Sequence, residues 1–239
     1  MCIRDSPDLY PRVAACDALI GTLTAQAADA LGLVAGIPVV AGGEDTSAAG
    51  LAMGVALPGQ ALLSLGTAGT LYAVQDQVVV YPQLLAFSHV LPGEALLGGS
   101  MVAVGGAFNW IRKVIGDRLT VDEALAMAES SPPGANNLIF LPYLSGELQP
   151  INDGNARGAF IGLSMSTTSA DMIRAVIEGT AFAIAHNTRL AAKVGTPITE
   201  IRAVGGPTQS PFWCQVISDV SGYPVKVMDS QPGNKAANT

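Results

Sequence analysis

Three glycine-broken turns and one carboxylate carry the chemistry that this sequence could do. The first is Val39-Val40-Ala41-Gly42-Gly43-Glu44-Asp45-Thr46-Ser47, where a β-branched run ends in two glycines and delivers Glu44 and Asp45 into a turn of small residues. Gly42 and Gly43 let the backbone turn and a ligand approach, so Asp45 in an open turn could accept a proton from a substrate hydroxyl. The plain alternative is a turn carboxylate bonded to its own backbone amides. The second turn is Leu63-Ser64-Leu65-Gly66-Thr67-Ala68-Gly69-Thr70. Successive amides in such a turn form a nest for anionic oxygens, and threonine hydroxyls add donors. The same residues also suit a simple β-hairpin turn. The third is Ala203-Val204-Gly205-Gly206-Pro207-Thr208-Gln209-Ser210, a strand that ends in glycines before a helix. That helix start could meet the polar atoms of a nucleotide, or Ser210 could simply be its N-cap. A fourth stretch, Gly105-Gly106-Ala107-Phe108-Asn109-Trp110, places Asn109 either toward a cleft or in solvent. A base near a hydroxyl and a turn that holds phosphate together suggest phosphoryl transfer. There is no Gly-x-x-x-x-Gly-Lys-Ser/Thr and no Gly-x-Gly-x-x-Gly.

The elements that must position these residues follow from pattern. Residues 23–31 read as an Ala-rich helix with Thr24 as N-cap and Gly32 as its stop. Residues 37–41 read as a buried strand. Residues 60–65 and 69–74 form two strands around Gly66–Gly69, and 96–101 a further strand. Helices are expected at 105–115, with Phe108, Trp110, Ile111 and Val114 on its apolar side, and at 121–130, ended by Pro132-Pro133-Gly134. A strand at 137–143 and a polar, solvated loop at 146–157 follow. The long helix 169–194 carries Asp171 in its first turn and a stripe of Ala175, Gly179 and Ala183 that lets another element pack close. The chain ends in a strand at 201–204, a helix at 212–220 and a strand at 225–227. Hairpin strands first, then alternation with helices, imply a mixed-sheet α/β fold.

Composition narrows the partners. Half of the 239 residues are apolar and 13% are charged, which describes a packed globular chain. A formal charge of −7 argues against nucleic acid as a partner. No apolar run approaches the ~18–20 residues of a membrane span, and no signal-peptide pattern begins the chain. Three scattered cysteines without metal spacing suit a reducing cytoplasm. Two histidines, His89 and His186, are too few for a multi-histidine metal site and are read as packing or hydrogen-bonding residues.

The motifs taken in order are more specific than any one alone. Gly-Gly-Glu-Asp, Ser-Leu-Gly-Thr-Ala-Gly, Gly-Gly-Ala-Phe-Asn-Trp, Tyr-Leu-Ser-Gly-Glu, Asn-Ala-Arg-Gly-Ala-Phe-Ile-Gly-Leu and Ala-Val-Gly-Gly resemble the FGGY carbohydrate kinases, in particular their xylulokinase-like branch. Gly158, Gly162, Leu163, Asp171, Ala175 and Glu178 match the signature of the family's C-terminal half. The resemblance covers about residues 10–228. It implies the ribonuclease-H-like fold of the actin/hexokinase/Hsp70 ATPase superfamily, in which two such domains enclose a cleft. It implies a sugar or polyol substrate, xylulose-like, and ATP with Mg2+ bound through the nucleotide phosphates rather than by protein side chains. By the same comparison Asp45 is the general base, Asp45 and Thr46 face substrate, and Gly66 and Thr67 form a phosphate motif. Gly105 and Asn109 approach the nucleotide, and Gly205, Gly206 and Ser210 form the adenosine motif. Glu44, Leu148 and Pro207 depart from residues common at their positions.

The resemblance also divides the chain. Residues 1–6 read as a non-native scar, 7–54 as the tail end of the N-terminal domain, and 55–239 as the nucleotide-binding C-terminal domain, incomplete at its end. A first phosphate motif, most of the sugar-binding domain and a last helix are not found, so the fragment is expected to be inactive alone. A homodimer is open for the full-length protein. A non-catalytic ATP-binding module of the same fold is the second expectation.

Overall fold

The computed structural model describes Leu9 and residues 11–116 and 119–227. The expected scar at 1–6 and the polar tail after Val227 lie outside the described residues. The first part of the chain folds as β1 (Leu19–Thr22), α1 (Ala25–Leu31), β2 (Pro38–Val40) and α2 (Asp45–Ala52). Helix α1 is bounded as the sequence predicts. The Thr24 hydroxyl accepts from the Ala27 amide at 3.2 Å, and Gly32 takes the left-handed conformation that stops the helix. Strand β2 pairs antiparallel with β1, a strand the sequence reading did not find. β2 is not buried: Val39 is 36% and Val40 52% exposed. An apolar run alone marks a strand but does not say which of its faces is covered. Residues 45–52, read as part of a turn, are a helix, because the Glu44 carboxylate accepts from the Ser47 amide and caps it.

Four antiparallel strands follow, β3 (Gly59–Leu65), β4 (Gly69–Gln75), β5 (Leu85–Ser88) and β6 (Ala95–Met101). Leu65 faces Gly69 across the hairpin turn that holds Thr67. Alternation sends Leu63, Leu65, Leu71 and Ala73 to the main core, and Leu62, Tyr72 and Val74 to a smaller one with Met53, Val55 and Leu96. Both faces of β4 are therefore covered. Helices α3 (Gly105–Ile115) and α4 (Val121–Ser130) come next. Phe108 and Ile111 of α3 are buried and Trp110 is half-buried, stacked near Phe140 and Phe160. Val114, expected on the apolar side, is 57% exposed, since its position in the last turn falls past the packed stripe.

A short antiparallel pair, β7 (Ile139–Leu141) and β8 (Ala159–Ile161), precedes the 25-residue helix α5 (Ser169–Lys193). Thr168 and Asp171 cap α5 reciprocally. The small-residue stripe works as expected: a Cβ on Gly179 would lie 2.4 Å from the Phe140 carbonyl oxygen, so only glycine lets β7 approach. The chain closes with β9 (Ile198–Gly205), α6 (Pro211–Ser221) and β10 (Val225–Val227). β9 is parallel to β3, and β10 is parallel to β9, giving the order β10-β9-β3-β4-β6-β5. The mixed α/β sheet is thus as the sequence predicts. Residues of α3, α4, α5 and α6 pack into the main core on one face of it, and the turn after β3 meets the starts of α3 and α6 at one end.

Candidate functional site

The turn after β3 is held by the start of α3. The amides of Val104 and Gly106 both donate to the Thr67 carbonyl, and Gly105 donates to the Gly66 carbonyl, each at 3.0 Å. The Gly66 amide is itself spent on the Ala68 carbonyl at 2.8 Å. Among the described residues this leaves the amides of Thr67 and Ala68 and the Thr67 hydroxyl without an internal acceptor. The donor set expected of the Gly66–Gly69 turn is therefore centred on Thr67, while Gly66, Gly105 and Gly106 shape the turn. A Cβ on Gly106 would meet Thr67 atoms at 3.1 Å.

The second wall comes from the β9–α6 connection. Gly205 has a φ of +116°, and a Cβ there would lie 1.9 Å from the Leu65 carbonyl oxygen. Gly206 opens a 3-10 turn, Gly206–Gln209, whose Thr208 hydroxyl donates to the Gly205 carbonyl at 2.7 Å. Ser210 then caps α6, its hydroxyl accepting from the Trp213 amide at 3.2 Å, with Pro211 at the first helical position. So the helix cap and the glycine turn read from the sequence coexist in one segment.

These pieces enclose a cavity of about 440 Å³. Gly66, Thr67 and Gly105 line one part of it, and Gly206, Pro207, Gln209 and Ser210 another. Asn109 projects from α3 beside Phe108, and Val121, Asp122 and Leu125 contribute from α4, with Trp213 behind. Six of the seven residues expected to approach a nucleotide thus meet in one space. Gly205 does not line it and instead fits the turn against β3. Among the described residues nothing lies within 4 Å of a Cβ built on Gly206, so a side chain there would project into space that they leave open. The cavity suits a flat apolar group beside a polar, donor-bearing end. Among the described residues no Lys or Arg lines it. Sequence reading missed Phe108, Val121, Asp122, Leu125, Gln209 and Trp213. The α4 residues had no signal, because only tertiary packing, chiefly of α4 against α5, brings that helix to the cavity.

Asp45 occupies a different place. It is the first residue of α2, exposed, and does not line the cavity that Thr67 and Gly206 share. The Thr46 hydroxyl lies 3.4 Å from its carboxylate. A carboxylate in the first turn of a helix suits the positive end of the helix dipole. Burial opposes ionisation of neighbouring Glu44, but the Ser47 amide and the side chains of Asp45 and Thr46 hold its carboxyl below the ordinary value. The start of α2 is pinned from below. The Ser47 hydroxyl accepts from the Val90 amide at 2.8 Å. His89 accepts from the Leu91 amide at Nδ1 and so carries its proton on Nε2, 3.0 Å from the Val55 carbonyl. His89 thus serves structure as expected, whereas His186 is exposed. Glu44, Thr46, Tyr72, Phe87 and His89 line a second cavity of about 480 Å³.

The Gly146-Glu147 loop differs from its expectation as a solvated segment. Glu147 is 4% exposed, and its Oε1 accepts from the amides of Val102 and Leu148 at 2.9 and 2.8 Å. Burial raises its pKa, against the pull of those two amides. Gln149 does the same one step along, its Oε1 accepting from the Ser100 amide at 3.0 Å. Two side chains therefore complete the edge of β6 where β5 has ended, just ahead of the segment that grips Thr67. Leu148, beside them, is half exposed.

Comparison with known proteins bears on what this arrangement is. The model of the FGGY family of carbohydrate kinases, C-terminal domain, matches residues 61–234. A xylulose kinase from Staphylococcus epidermidis is 34% identical over 228 residues, 95% of this chain and 46% of that protein. The crystal structure of xylulose kinase from Rhodospirillum rubrum superposes with a TM-score of 0.87 at 33% identity, over 92% of this chain and 45% of that one. A ligand-bound xylulose kinase from Lactobacillus acidophilus gives 0.89 at 29% identity, over 95% and 46%. The chain spans about half the length of the curated relatives it matches. The fold is accordingly that of the actin/hexokinase/Hsp70 ATPases.

Proposed function

The chain belongs to the FGGY family of carbohydrate kinases, and from that premise we propose that it is the nucleotide-side portion of an enzyme that transfers the ATP γ-phosphoryl group to a hydroxyl of a sugar or polyol, xylulose-like in kind. The observation that carries this is the meeting of Gly66, Thr67, Gly105, Asn109, Gly206 and Ser210 in one cavity of about 440 Å³. In this reading the Thr67 and Ala68 amides and the Thr67 hydroxyl hold the phosphates, and the space over Gly206 takes the nucleoside. Residues 7–54 belong to the first domain of the whole protein and 55–239 to its second, and the protein acts in the cytoplasm.

Phosphoryl transfer depends on positioning and charge stabilisation more than on covalent work by the protein. Asp45 takes the proton of the attacked hydroxyl, Thr46 contacts the substrate beside it, and the fixed start of α2 sets where that carboxylate stands. The sugar spans from Asp45 to the phosphate at Thr67. Mg2+ held through the nucleotide phosphates would supply positive charge at a cavity whose described lining residues include no Lys or Arg. The chain spans about half the length of its curated relatives, and in this reading it binds nucleotide by itself but transfers phosphate poorly.

Two measurements test the reading. Thr67→Ala in this chain should weaken ATP binding by titration calorimetry by about tenfold or more. Asp45→Asn in the full-length protein should lower xylulose-dependent ADP release by orders of magnitude with KM for ATP little changed. Unaltered turnover of the Asp45 variant removes the base assignment. Binding of ATP with no sugar- or polyol-dependent ADP release favours a non-catalytic module of the same fold.

A further inference from the structure

Among the described residues that line the 440 Å³ cavity, one carries a formal charge, and it is negative: Asp122, in the first turn of α4. Its neighbour Glu123 is committed to the helix cap, accepting from the Thr120 amide at 2.9 Å and the Thr120 hydroxyl at 2.7 Å. Asp122 forms no ion pair among the described residues. It stands exposed beside Val121 and Leu125, facing the same space as Asn109 and Trp213.

Helix α3 acts as a ruler along this cavity. It begins at Gly105, against the Thr67 turn. Arg112, two turns on, grips the chain just before α4 through its Nε, 3.1 Å from the Leu119 carbonyl. Seven residues of helix rise about 10 Å, so the start of α4 stands well away from the phosphate turn. A carboxylate repels phosphate, and it stabilises a ligand only where that ligand presents a hydrogen-bond donor. A nucleotide has donors only at its far end, the ribose hydroxyls and the exocyclic amine of the base.

Resting on the reading of this cavity as a nucleotide site, we propose that Asp122 is a specificity-determining residue. It accepts a hydrogen bond from the nucleoside and so fixes which way round the nucleotide lies. The shared chemistry is an N–H or O–H donor, and the analogues used in the test separate base from sugar.

The test measures dissociation constants of the 239-residue chain and of its Asp122→Ala and Asp122→Asn variants by titration calorimetry. The ligands are ADP, the diphosphate of purine riboside (which lacks the 6-amino group), 2′-deoxy-ADP and 3′-deoxy-ADP. Wild-type chain should bind at least one analogue about tenfold more weakly than ADP. Asp122→Ala should erase that difference by weakening ADP to the level of the analogue, with its other ratios unchanged. Loss confined to the purine riboside arm assigns the bond to the base amine, and loss confined to a deoxy arm assigns it to the ribose. If ADP binds and Asp122→Ala leaves every ratio as in wild type, the role of Asp122 is overturned while the nucleotide site stands. If wild-type chain binds none of the four, the nucleotide reading falls and this inference with it.

Discussion

The Gly105 amide donates to the Gly66 carbonyl at 3.0 Å, and a Cβ on Gly105 would stand 2.5 Å from that same oxygen. Two glycines that sequence alone offers as ligand contacts are thus also each other's packing partners. The candidate site is built from backbone-to-backbone approaches that tolerate no side chain, and the space for a ligand is what these approaches leave over.

That distinction separates two adjacent glycines. Gly205 combines a φ of +116° with a Cβ position 1.9 Å from the Leu65 carbonyl, so Gly205→Ala forces both a strained backbone and a shift of β3. A loss of about 3 kcal/mol or more in unfolding free energy is expected by urea denaturation. Gly206→Val meets no atom of the described residues within 4 Å of its Cβ. It should leave the urea midpoint nearly unchanged yet weaken ATP binding about tenfold or more, because its side chain occupies the proposed nucleoside space. A Gly206 variant that unfolds early, or that binds ATP normally, would contradict this division.

Asp171 makes a pH prediction. The Ser131 hydroxyl is its strongest partner, at 2.6 Å, followed by Thr168 and Asn136, and together they hold its pKa at about 2 against an ordinary 3.8. A carboxyl with a depressed folded-state pKa contributes stability that is present above its unfolded value and is lost as pH falls toward the folded one. The contribution is on the order of 2 kcal/mol. Unfolding free energy should therefore drop between about pH 4 and pH 2. Asp171→Asn should flatten this drop while lowering stability at pH 7. A wild-type and a variant curve that run parallel through that window would show that Asp171 does not drive it.

Glu147 shows the opposite sign. Its buried carboxyl is raised above the ordinary value, so ionisation costs folded-state stability, and that loss grows as pH rises through the folded pKa. Glu147→Gln keeps an oxygen to accept from Val102 and removes the charge. It should be as stable as wild type or more stable at pH 7 and gain least at low pH. Glu147→Leu strips the acceptor from two amides and should cost about 1–3 kcal/mol. It should also broaden the NMR amide signals of Gly105 and Gly106, three to four residues beyond Val102. Equal stability of the Gln and Leu variants would mean that those amides find other partners.

How far the sequence foretold all this depends on what each residue needs. Caps and turns are local, so Thr24, Ser210 and Gly32 announced their helix ends correctly. Alternation and glycine placed the β3–β4 hairpin within one residue. The order of motifs identified the family, because it samples the chain from Gly42 to Gly206 at once. What failed was non-local. The burial of Glu147 depends on β6 running past the end of β5, leaving two amides that only a distant loop reaches. Exposure of β2 depends on which surfaces meet it, and a strand of Pro38-Val39-Val40 carries no mark of that. The α2 helix escaped notice because Gly42-Gly43 and the small residues after them look like a turn, while the capping role of Glu44 is visible only once Ser47 is known to be helical.

Glu44 is the last residue to test, since it stands beside the proposed base. Its carboxylate accepts from the Ser47 amide at 3.0 Å and so fixes the first turn of the helix on which Asp45 is the leading residue. Glu44→Ala removes that cap and should cost about 1 kcal/mol of stability. In the full-length protein a loosened first turn lets the Asp45 carboxylate wander, so kcat should fall several-fold while KM for ATP stays within a factor of two, as the Thr67 turn is untouched. Glu44→Asp, a shorter but strong N-cap, should restore most of the stability and of kcat. Steady-state kinetics on the three proteins decide it: a Glu44→Ala enzyme whose kcat matches wild type would show that the cap serves the fold alone, and a change confined to KM for ATP would place Glu44 at the nucleotide instead.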